Sequence, residues 1–225
     1  MRPGSTPLPR HLAYRQVRHY IRGLLQERPD AAGPRVPGCP GWNVRDTVAH
    51  LAENCRTAEV NLLDAARRPA GLPGLGLPDL LVEWERSAVR VERGLSLSTQ
   101  ARAGSVLVMD AFTHAFDIAR ALGEPFPADH PALPDAFEVV FDGFNGAVRR
   151  RCLPPLGVRT EQARWTAGEQ RPAVYVAGTW IDLYRSLVGR RTAQQIRALA
   201  WSGDPEPWLP AFAWGPFRLP SEPVE

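Results

Sequence analysis

Residues 106–123 read VLVMDAFTHAFDIARALG, and this stretch decides how the rest of the chain is interpreted. At about 100° per residue, its apolar side chains cover most of the circumference of a helix. The polar side chains share one sector, because Thr113, His114 and Asp117 lie at roughly −60°, +40° and −20° from Asp110. The pattern predicts a helix that is buried on nearly every side and carries a single polar stripe.

This polar stripe contains no Lys, Arg or Glu, the residues that a solvated helix face normally uses. Two aspartates and a histidine inside a protein must be paired with other groups or bind a cation. Asp110 and His114 are four residues apart, so they lie one turn apart on the same face of the helix. The residues alone leave two interpretations open: a metal site, or a polar stripe that serves the structure.

A second histidine lies at a comparable depth in another predicted helix. His50 belongs to the segment VRDTVAHL, residues 44–51. Asn43 is predicted to cap this helix, and Asp46 lies in the first turn, where an acid favours the helix dipole. His50 then lies about 10 Å into the helix. Helices that meet at this level would bring His50, Asp110 and His114 together, and three protein ligands with an open fourth position are typical of a catalytic metal site.

The apolar residues recur at helical spacing in five long segments, and the short connections between the first four favour a four-helix bundle. These helices are predicted at residues 11–27, 43–68, 78–95, 105–122 and 134–151, with two shorter helices at 181–187 and 193–198. Gly123 followed by Pro125 is a stop signal for the fourth helix. The chain changes character near residue 153, and residues 171–178 resemble a strand. We therefore expect a bundle over residues 1–152 and a small α/β or irregular lobe over residues 153–225.

The amino-acid composition indicates a globular protein without a membrane span or a nucleic-acid-binding stripe. Of the 225 residues, 44% are hydrophobic and 23% are charged, which is ordinary for a globular protein. No apolar run approaches the roughly 18 residues of a membrane span, and no apolar signal region occurs at the N-terminus. All 27 basic residues are arginines scattered along the chain, so no basic stripe indicates nucleic-acid binding. We expect a monomer or homodimer that binds neither nucleic acid nor membranes.

The cysteines indicate a reducing compartment. Cys39, Cys55 and Cys152 are odd in number and unrelated in spacing, which argues against a disulfide framework and favours the cytoplasm. Cys39 follows a glycine in a loop, where no adjacent base is evident to activate it as a nucleophile. Cys55 lies in the apolar stripe of the second helix and is predicted to be core. His11, His19 and His130 have no partners at ligand spacing, and the chain has no G-x-S-x-G, H-E-x-x-H or CxxC motif.

Two segments together resemble a known family. CPGWNVRDTVAHL, residues 39–51, and LVMDAFTHAFDIARALGEPF, residues 107–126, are similar in sequence and order to the two motifs of the mycothiol-dependent maleylpyruvate isomerase family, within the wider DinB-like superfamily. The resemblance covers about the first 150 residues. Residues 182–205 resemble the C-terminal region of some members less specifically. The resemblance implies a mainly α fold, a DinB-like four-helix bundle with a small C-terminal lobe.

The resemblance also implies a set of site residues. Members hold a divalent metal, most often zinc, on the positions that correspond to His50, Asp110 and His114. The isomerase itself is expected to have Glu where this chain has Asp110, which is one methylene shorter. Asp117 is assigned to the catalytic group, as a residue that supports a ligand or contacts the substrate. Further residues are assigned to cosubstrate binding: Trp42 and Arg45 at the rim, and Arg185 in the C-terminal lobe.

The implied chemistry is that of a thiol enzyme. Mycothiol or a similar low-molecular-weight thiol would be deprotonated at the open metal position and would attack a small electrophile. The reaction is then a thiol S-transfer or a thiol-dependent cis–trans isomerisation. Because the attacking sulfur comes from the cosubstrate, none of the three cysteines is expected to be the nucleophile. Two alternatives stay open: a noncatalytic bundle that binds a ligand or partner, and a metal-dependent hydrolase that uses bound water.

Overall fold

The computed structural model describes residues 8–26, 28, 30–63, 72, 74–97 and 101–224, with side chains from residue 104 onward in the last range. Five long helices form most of the chain: α1 (Arg10–Leu25), α2 (Val44–Leu63), α3 (Leu77–Leu97), α4 (Ala101–Ala121) and α5 (Leu133–Arg150). Their bounds agree with the predicted ones to within about four residues where both ends are described. The predicted end of α2, near residue 68, lies outside the described residues.

The helix α2 begins as its sequence predicts. The side-chain oxygen of Asn43 accepts a hydrogen bond from the backbone N–H of Asp46 at 2.9 Å. In return, the carboxylate of Asp46 accepts the backbone N–H of Asn43 at 3.2 Å. This reciprocal pair satisfies two donors that the first turn of a helix otherwise leaves without a partner. The predicted cap is confirmed, and it fixes where along α2 each later residue lies.

The helix α4 ends at the predicted stop signal. Gly123 has a φ of 70°, a left-handed conformation that glycine adopts without steric cost. The backbone N–H of Gly123 donates to the carbonyl of Arg120 at 3.1 Å, and that of Glu124 donates to the carbonyl of Ala119 at 2.8 Å. These two bonds form a Schellman motif, which satisfies the last carbonyls of the helix.

The chain separates into two compact units, residues 7–136 and 137–225, with the division inside α5. In the first unit, α1 packs against α3 and α4, and α2 packs against the same two helices. Large apolar side chains fill the space between them, and the largest fully buried ones include Tyr14, Ile21, Leu80, Trp84, Phe112 and Ile118. This arrangement is the predicted four-helix bundle, and it contains every residue of the candidate site described below except Arg185.

The second unit contains a small four-stranded sheet with the order β2-β1-β3-β4. Its strands are β1 (Leu156–Arg159), β2 (Arg164–Ala167), β3 (Val174–Ala177) and β4 (Ala200–Trp201). The strand β1 pairs antiparallel with β2 and parallel with β3, and β3 pairs antiparallel with β4. The unit also contains most of α5, two short helices, α6 (Trp180–Leu187) and α7 (Ala193–Arg197), and a 3₁₀ helix at Glu206–Phe212. The predicted fold class, mainly α with a small α/β lobe, is confirmed.

Among the described residues, none of the helices combines the length and apolar character needed to cross a membrane.

Candidate metal centre

The three predicted metal ligands lie together in the bundle. His50 extends from α2, and Asp110 and His114 extend from α4. The Nε2 atom of His50 lies 3.4 Å from the Oδ1 atom of Asp110, and the Nε2 atom of His114 lies 3.7 Å from the same oxygen. One potential ligand atom of each residue lies within 4.8 Å of the others. The helices thus bring together three donors at the separation that a single ion requires.

The centre lies at the edge of the buried core. The His114 residue is buried, while the side chains of His50 and Asp110 keep 31% and 24% of their surface exposed. Burial raises the pKa of the Asp110 carboxyl, but the hydrogen bond with His50 and the charges of His114 and His50 outweigh it. The pKa of Asp110 therefore lies below its ordinary value, and the carboxyl is anionic at neutral pH.

Asp117 supports His114 from the other side of the imidazole. Its Oδ2 atom lies 3.2 Å from the Nδ1 atom of His114, and its side chain is 3% exposed. A carboxylate that accepts the Nδ1 proton leaves Nε2 unprotonated and directed towards Asp110. Metal-ligating histidines commonly have such a partner, which fixes both the tautomer and the orientation of the ring. Thr113, the remaining polar residue of the stripe, donates its hydroxyl to the backbone carbonyl of Met109 at 2.8 Å.

The structure adds Asn54, which the sequence interpretation missed. Its Nδ2 atom lies 2.9 Å from Oδ2 of Asp110 and 3.0 Å from Nε2 of His50. The amide donates to the Asp110 carboxylate and so helps to orient one of the candidate ligands. Asn54 follows His50 by four residues on the same helix face, and this spacing is the signal that could have identified it.

Three other residues were predicted to bind the cosubstrate. The Trp42 ring lies beside both imidazoles, with centroids 5.0 Å from His50 and 5.9 Å from His114. Arg45 donates to the backbone carbonyl of Leu75 at 2.9 Å. Arg185 belongs to the second unit, where it is buried. Trp42 thus lies in contact with two of the candidate ligands.

Cys39 has a neighbourhood that the sequence did not indicate. Its Sγ atom lies 3.7 Å from Nδ1 of His114 and 3.6 Å from Oδ2 of Asp117. The expectation that no base lies next to this thiol is wrong, because the loop before α2 approaches residues 75 or more positions later in the chain. Burial raises the pKa of the Cys55 thiol to about 12, as suits the predicted core residue. Cys152 is exposed.

The chemistry of the donors fits a divalent transition metal. Two imidazoles and one carboxylate are the donor set of many catalytic zinc sites, which leave a fourth position open. The support that Asp117 gives to His114 and the contact of Asn54 with Asp110 are of the kind that accompanies such ligands.

Comparison with known proteins supports the family resemblance that the two sequence motifs indicate. A sequence model described as the mycothiol maleylpyruvate isomerase N-terminal domain matches residues 14–124. Crystal structures of the mycothiol-dependent maleylpyruvate isomerase and of a mutant of it share 19% and 17% of their sequence with this chain, with TM-scores of 0.59 and 0.60. In both comparisons 88% of this chain and 94% of the other are covered, and at this identity the likeness concerns the fold. A search of curated proteins found no match. Residues 14–124, which contain His50, Asp110 and His114, are thus identified as a domain of the mycothiol maleylpyruvate isomerase N-terminal family.

Proposed function

We propose that this protein is a metal-dependent thiol enzyme, either a thiol S-transferase or a thiol-dependent cis–trans isomerase. In this proposal the sulfur of mycothiol, or of a similar low-molecular-weight thiol, adds to a small electrophile. The observation that carries the proposal is the convergence of His50, Asp110 and His114 within 4.8 Å. The family match over the same residues supports the choice of a thiol as cosubstrate.

His50, Asp110 and His114 would act as the metal ligands, and their combined charge suits a divalent ion that must also bind a thiolate. A divalent ion such as Zn²⁺ with an open fourth position lowers the pKa of a thiol that occupies it, and so supplies a thiolate at neutral pH. Asp110 is the single anion among the three ligands, so the set neutralises only half of the charge of a divalent ion. His50 and His114 add donors without adding negative charge, which leaves attraction for an incoming anion.

The surrounding side chains keep the ligands in place. Asp117 would accept the Nδ1 proton of His114, so that Nε2 stays available as a donor atom. Asn54 would hold the second oxygen of Asp110, which leaves Oδ1 directed towards the two imidazoles. Trp42 covers the imidazole rings with an apolar surface and would exclude water from that side.

Elemental analysis tests the metal part of the proposal. Wild-type protein purified without chelators is expected to contain one divalent ion per chain. The double variant His50→Ala/Cys39→Ser is expected to lose most of it, and Cys39 is replaced as well because its thiol also lies beside His114. His19→Ala is a matched control, because His19 is exposed on α1 in the same unit. Stoichiometric metal in this double variant would exclude His50 as a ligand. A wild-type protein that purifies without metal and binds none would favour a noncatalytic bundle instead.

Thiol dependence tests the reaction class. Turnover of an activated cis alkene or another small electrophile is expected to require mycothiol or a related thiol, and to disappear with the metal. Product analysis then separates the two reactions, since the transferase leaves sulfur on the product and the isomerase does not. Turnover that proceeds equally well without any thiol would identify a hydrolase that uses water.

A further inference from the structure

Cys39, His114 and Asp117 form a second group of potential metal ligands beside the first. The Nδ1 atom of His114 lies 3.2 Å from Oδ2 of Asp117. The Sγ atom of Cys39 completes a triangle, at 3.7 Å from that nitrogen and 3.6 Å from that oxygen. The three atoms lie within 4.8 Å of one another, as do the donors of the first group.

The triangle has the dimensions of one face of a tetrahedral zinc site. With metal–ligand distances of about 2.05 Å for nitrogen and oxygen and about 2.3 Å for sulfur, the N–O edge is about 3.3 Å and the edges that include sulfur are about 3.5–3.6 Å. The observed sides of 3.2, 3.6 and 3.7 Å differ from these values by no more than about 0.2 Å. An ion could therefore bind without any large movement of the three side chains.

An ordered turn holds Cys39 in this position. Its backbone N–H donates to the carbonyl of Val36 at 3.0 Å, and its own carbonyl accepts the N–H of Trp42 at 3.0 Å. Gly41 has a φ of 88°, which this tight turn requires and which a side chain would strain. Residues 35 and 43 close the turn with a β-bridge just before α2. The thiol is thus presented by a fixed backbone.

The other two donors are anchored in the bundle. His114 and Asp117 are 7% and 3% exposed, and both extend from α4. Asp117 contributes a carboxylate oxygen, a donor that divalent cations accept as a ligand. Cys39 is only half-buried, so an ion can reach the triangle from the side of the loop.

We propose that Cys39, His114 and Asp117 form a second binding position for a thiophilic divalent ion such as Zn²⁺, Co²⁺ or Cd²⁺. Binding there uses Nδ1 of His114, whereas the first group uses Nε2. A neutral imidazole has one lone pair available for a metal, so its proton moves to Nε2, and the Cys39 thiol releases its proton to solvent. The two positions therefore compete for His114, and an ion on Cys39 removes His114 from the His50–Asp110 pair.

This competition gives the proposal a regulatory consequence. An ion held by the cysteine thiolate leaves the first group with two ligands. The first group then lacks the complete metal site that the proposed thiol chemistry requires. The second position itself does not rest on that chemistry, because its three donors are complete without His50 and Asp110. Substitution of His50 thus separates the two groups experimentally.

Cobalt titration in thiol-free buffer tests the proposal, because a Co²⁺–thiolate bond absorbs in the near ultraviolet and oxygen or nitrogen ligands do not. Wild-type protein should show this band with one ion bound per chain. Cys39→Ser and Cys39→Ala should lose the band, and circular dichroism should show that each variant keeps the helical fold. Cys152→Ser, which removes an exposed thiol, should keep it.

His50→Ala should keep the thiolate band, and should show a stronger band at saturating cobalt because the first group no longer competes for the ion. Absence of the band in His50→Ala, or its persistence in both Cys39 variants, would overturn the second position. Two ions bound per wild-type chain would overturn the competition for His114. A thiolate band that His50→Ala leaves intact, combined with metal-free Cys39→Ser protein, would support this position while removing the basis of the proposed function.

Discussion

His114 is held at both nitrogens of its ring, towards Asp110 on one side and towards Asp117 on the other. We expect Asp117→Asn to lower metal affinity about 10- to 100-fold, because the amide no longer accepts the Nδ1 proton as a carboxylate does. Competition with a chromophoric chelator measures this affinity. Asp129→Asn is the control, since Asp129 is exposed in the loop after α4 and should bind metal like the wild type.

The size of the loss in metal affinity distinguishes a residue that supports a ligand from a ligand itself. In a Cys39→Ser background, which removes the second position, His50→Ala should lose more affinity than Asp117→Asn, because it removes a donor atom and not only its support. Wild-type affinity in Asp117→Asn would show that the contact between Asp117 and His114 does not contribute to the metal centre.

His130 is a buried histidine outside the candidate centre. Burial lowers its pKa to about 4, although the charge of nearby Asp129 opposes the shift. Its ring stacks against Phe126 with centroids 5.7 Å apart, and its Nδ1 atom accepts the backbone N–H of Ala132 at 3.2 Å. Protonation would put a charge among aromatic rings and would remove this hydrogen bond.

The pKa of His130 predicts a pH dependence of stability. Between about pH 6.5 and pH 4 the unfolded chain binds a proton at this residue and the folded chain does not, so the free energy of unfolding falls as the pH falls through this window. The loss is at most about 3 kcal/mol, since one pKa unit corresponds to about 1.4 kcal/mol. Urea unfolding at a series of pH values should show a flatter profile for His130→Phe. The profile of His19→Phe, which changes an exposed histidine, should follow the wild type; an unchanged profile in His130→Phe would contradict the prediction.

At the scale of single elements, local sequence signals predicted the helices, whereas the sequence did not indicate the long-range contacts. Asn43 and Gly123 mark helix ends because capping and left-handed backbone depend only on neighbouring residues. Asn54 could have been found from its spacing to His50. Cys39 could not, because its approach to His114 depends on how a loop folds over a helix 75 residues later in the chain. The candidate ligands were predictable because two of them share one turn of one helix.

A buried ion pair joins α1 to α3, and no sequence pattern indicated it. Arg18 and Glu92 are 3% and 4% exposed, with Nη2 of Arg18 2.8 Å from Oε1 of Glu92. Arg15 donates to the other oxygen of Glu92 at 2.7 Å, and Glu85 also contacts Arg18. Because the two helices pack against each other at this level, the pair lies where water cannot replace a missing partner.

We expect Glu92→Gln to lower the free energy of unfolding by about 3 kcal/mol, because it leaves a buried guanidinium without its main carboxylate partner. Glu83→Gln is the matched control, since Glu83 pairs with the exposed Arg86 and should change stability by no more than about 0.5 kcal/mol. Denaturant unfolding monitored by circular dichroism measures both. Equal effects of the two substitutions would show that burial does not determine the contribution of Glu92.

At the scale of the whole chain, the bundle was easier to predict than the lobe. The strands of the second unit have four residues or fewer, which is too short for an alternating pattern to be recognised. The strand β4 has only two residues, Ala200 and Trp201, and exists through its pairing with β3. Residues 171–178 predicted β3, but the sheet order depends on contacts between segments that no local signal specifies.

The helix α5 carries the chain from one compact unit into the other, and this continuity has a measurable consequence. An ion on the bundle stabilises the folded state by about 2.7 kcal/mol at a free concentration one hundred times its Kd. The ligands lie in residues 7–136, whereas five of the seven tryptophans lie in residues 137–225. Circular dichroism therefore reports mainly on the helices of the bundle, and tryptophan fluorescence reports mainly on the lobe.

If a continuous helix makes the two units unfold together, zinc added to metal-free protein should raise the unfolding midpoint equally by both probes. Because unfolding of either unit would interrupt α5, we expect this coincident shift in wild type. The double variant His50→Ala/Cys39→Ser should show little shift by either probe, since both groups of ligands are then incomplete. A shift seen by circular dichroism alone would show that the units unfold independently and that α5 does not couple them.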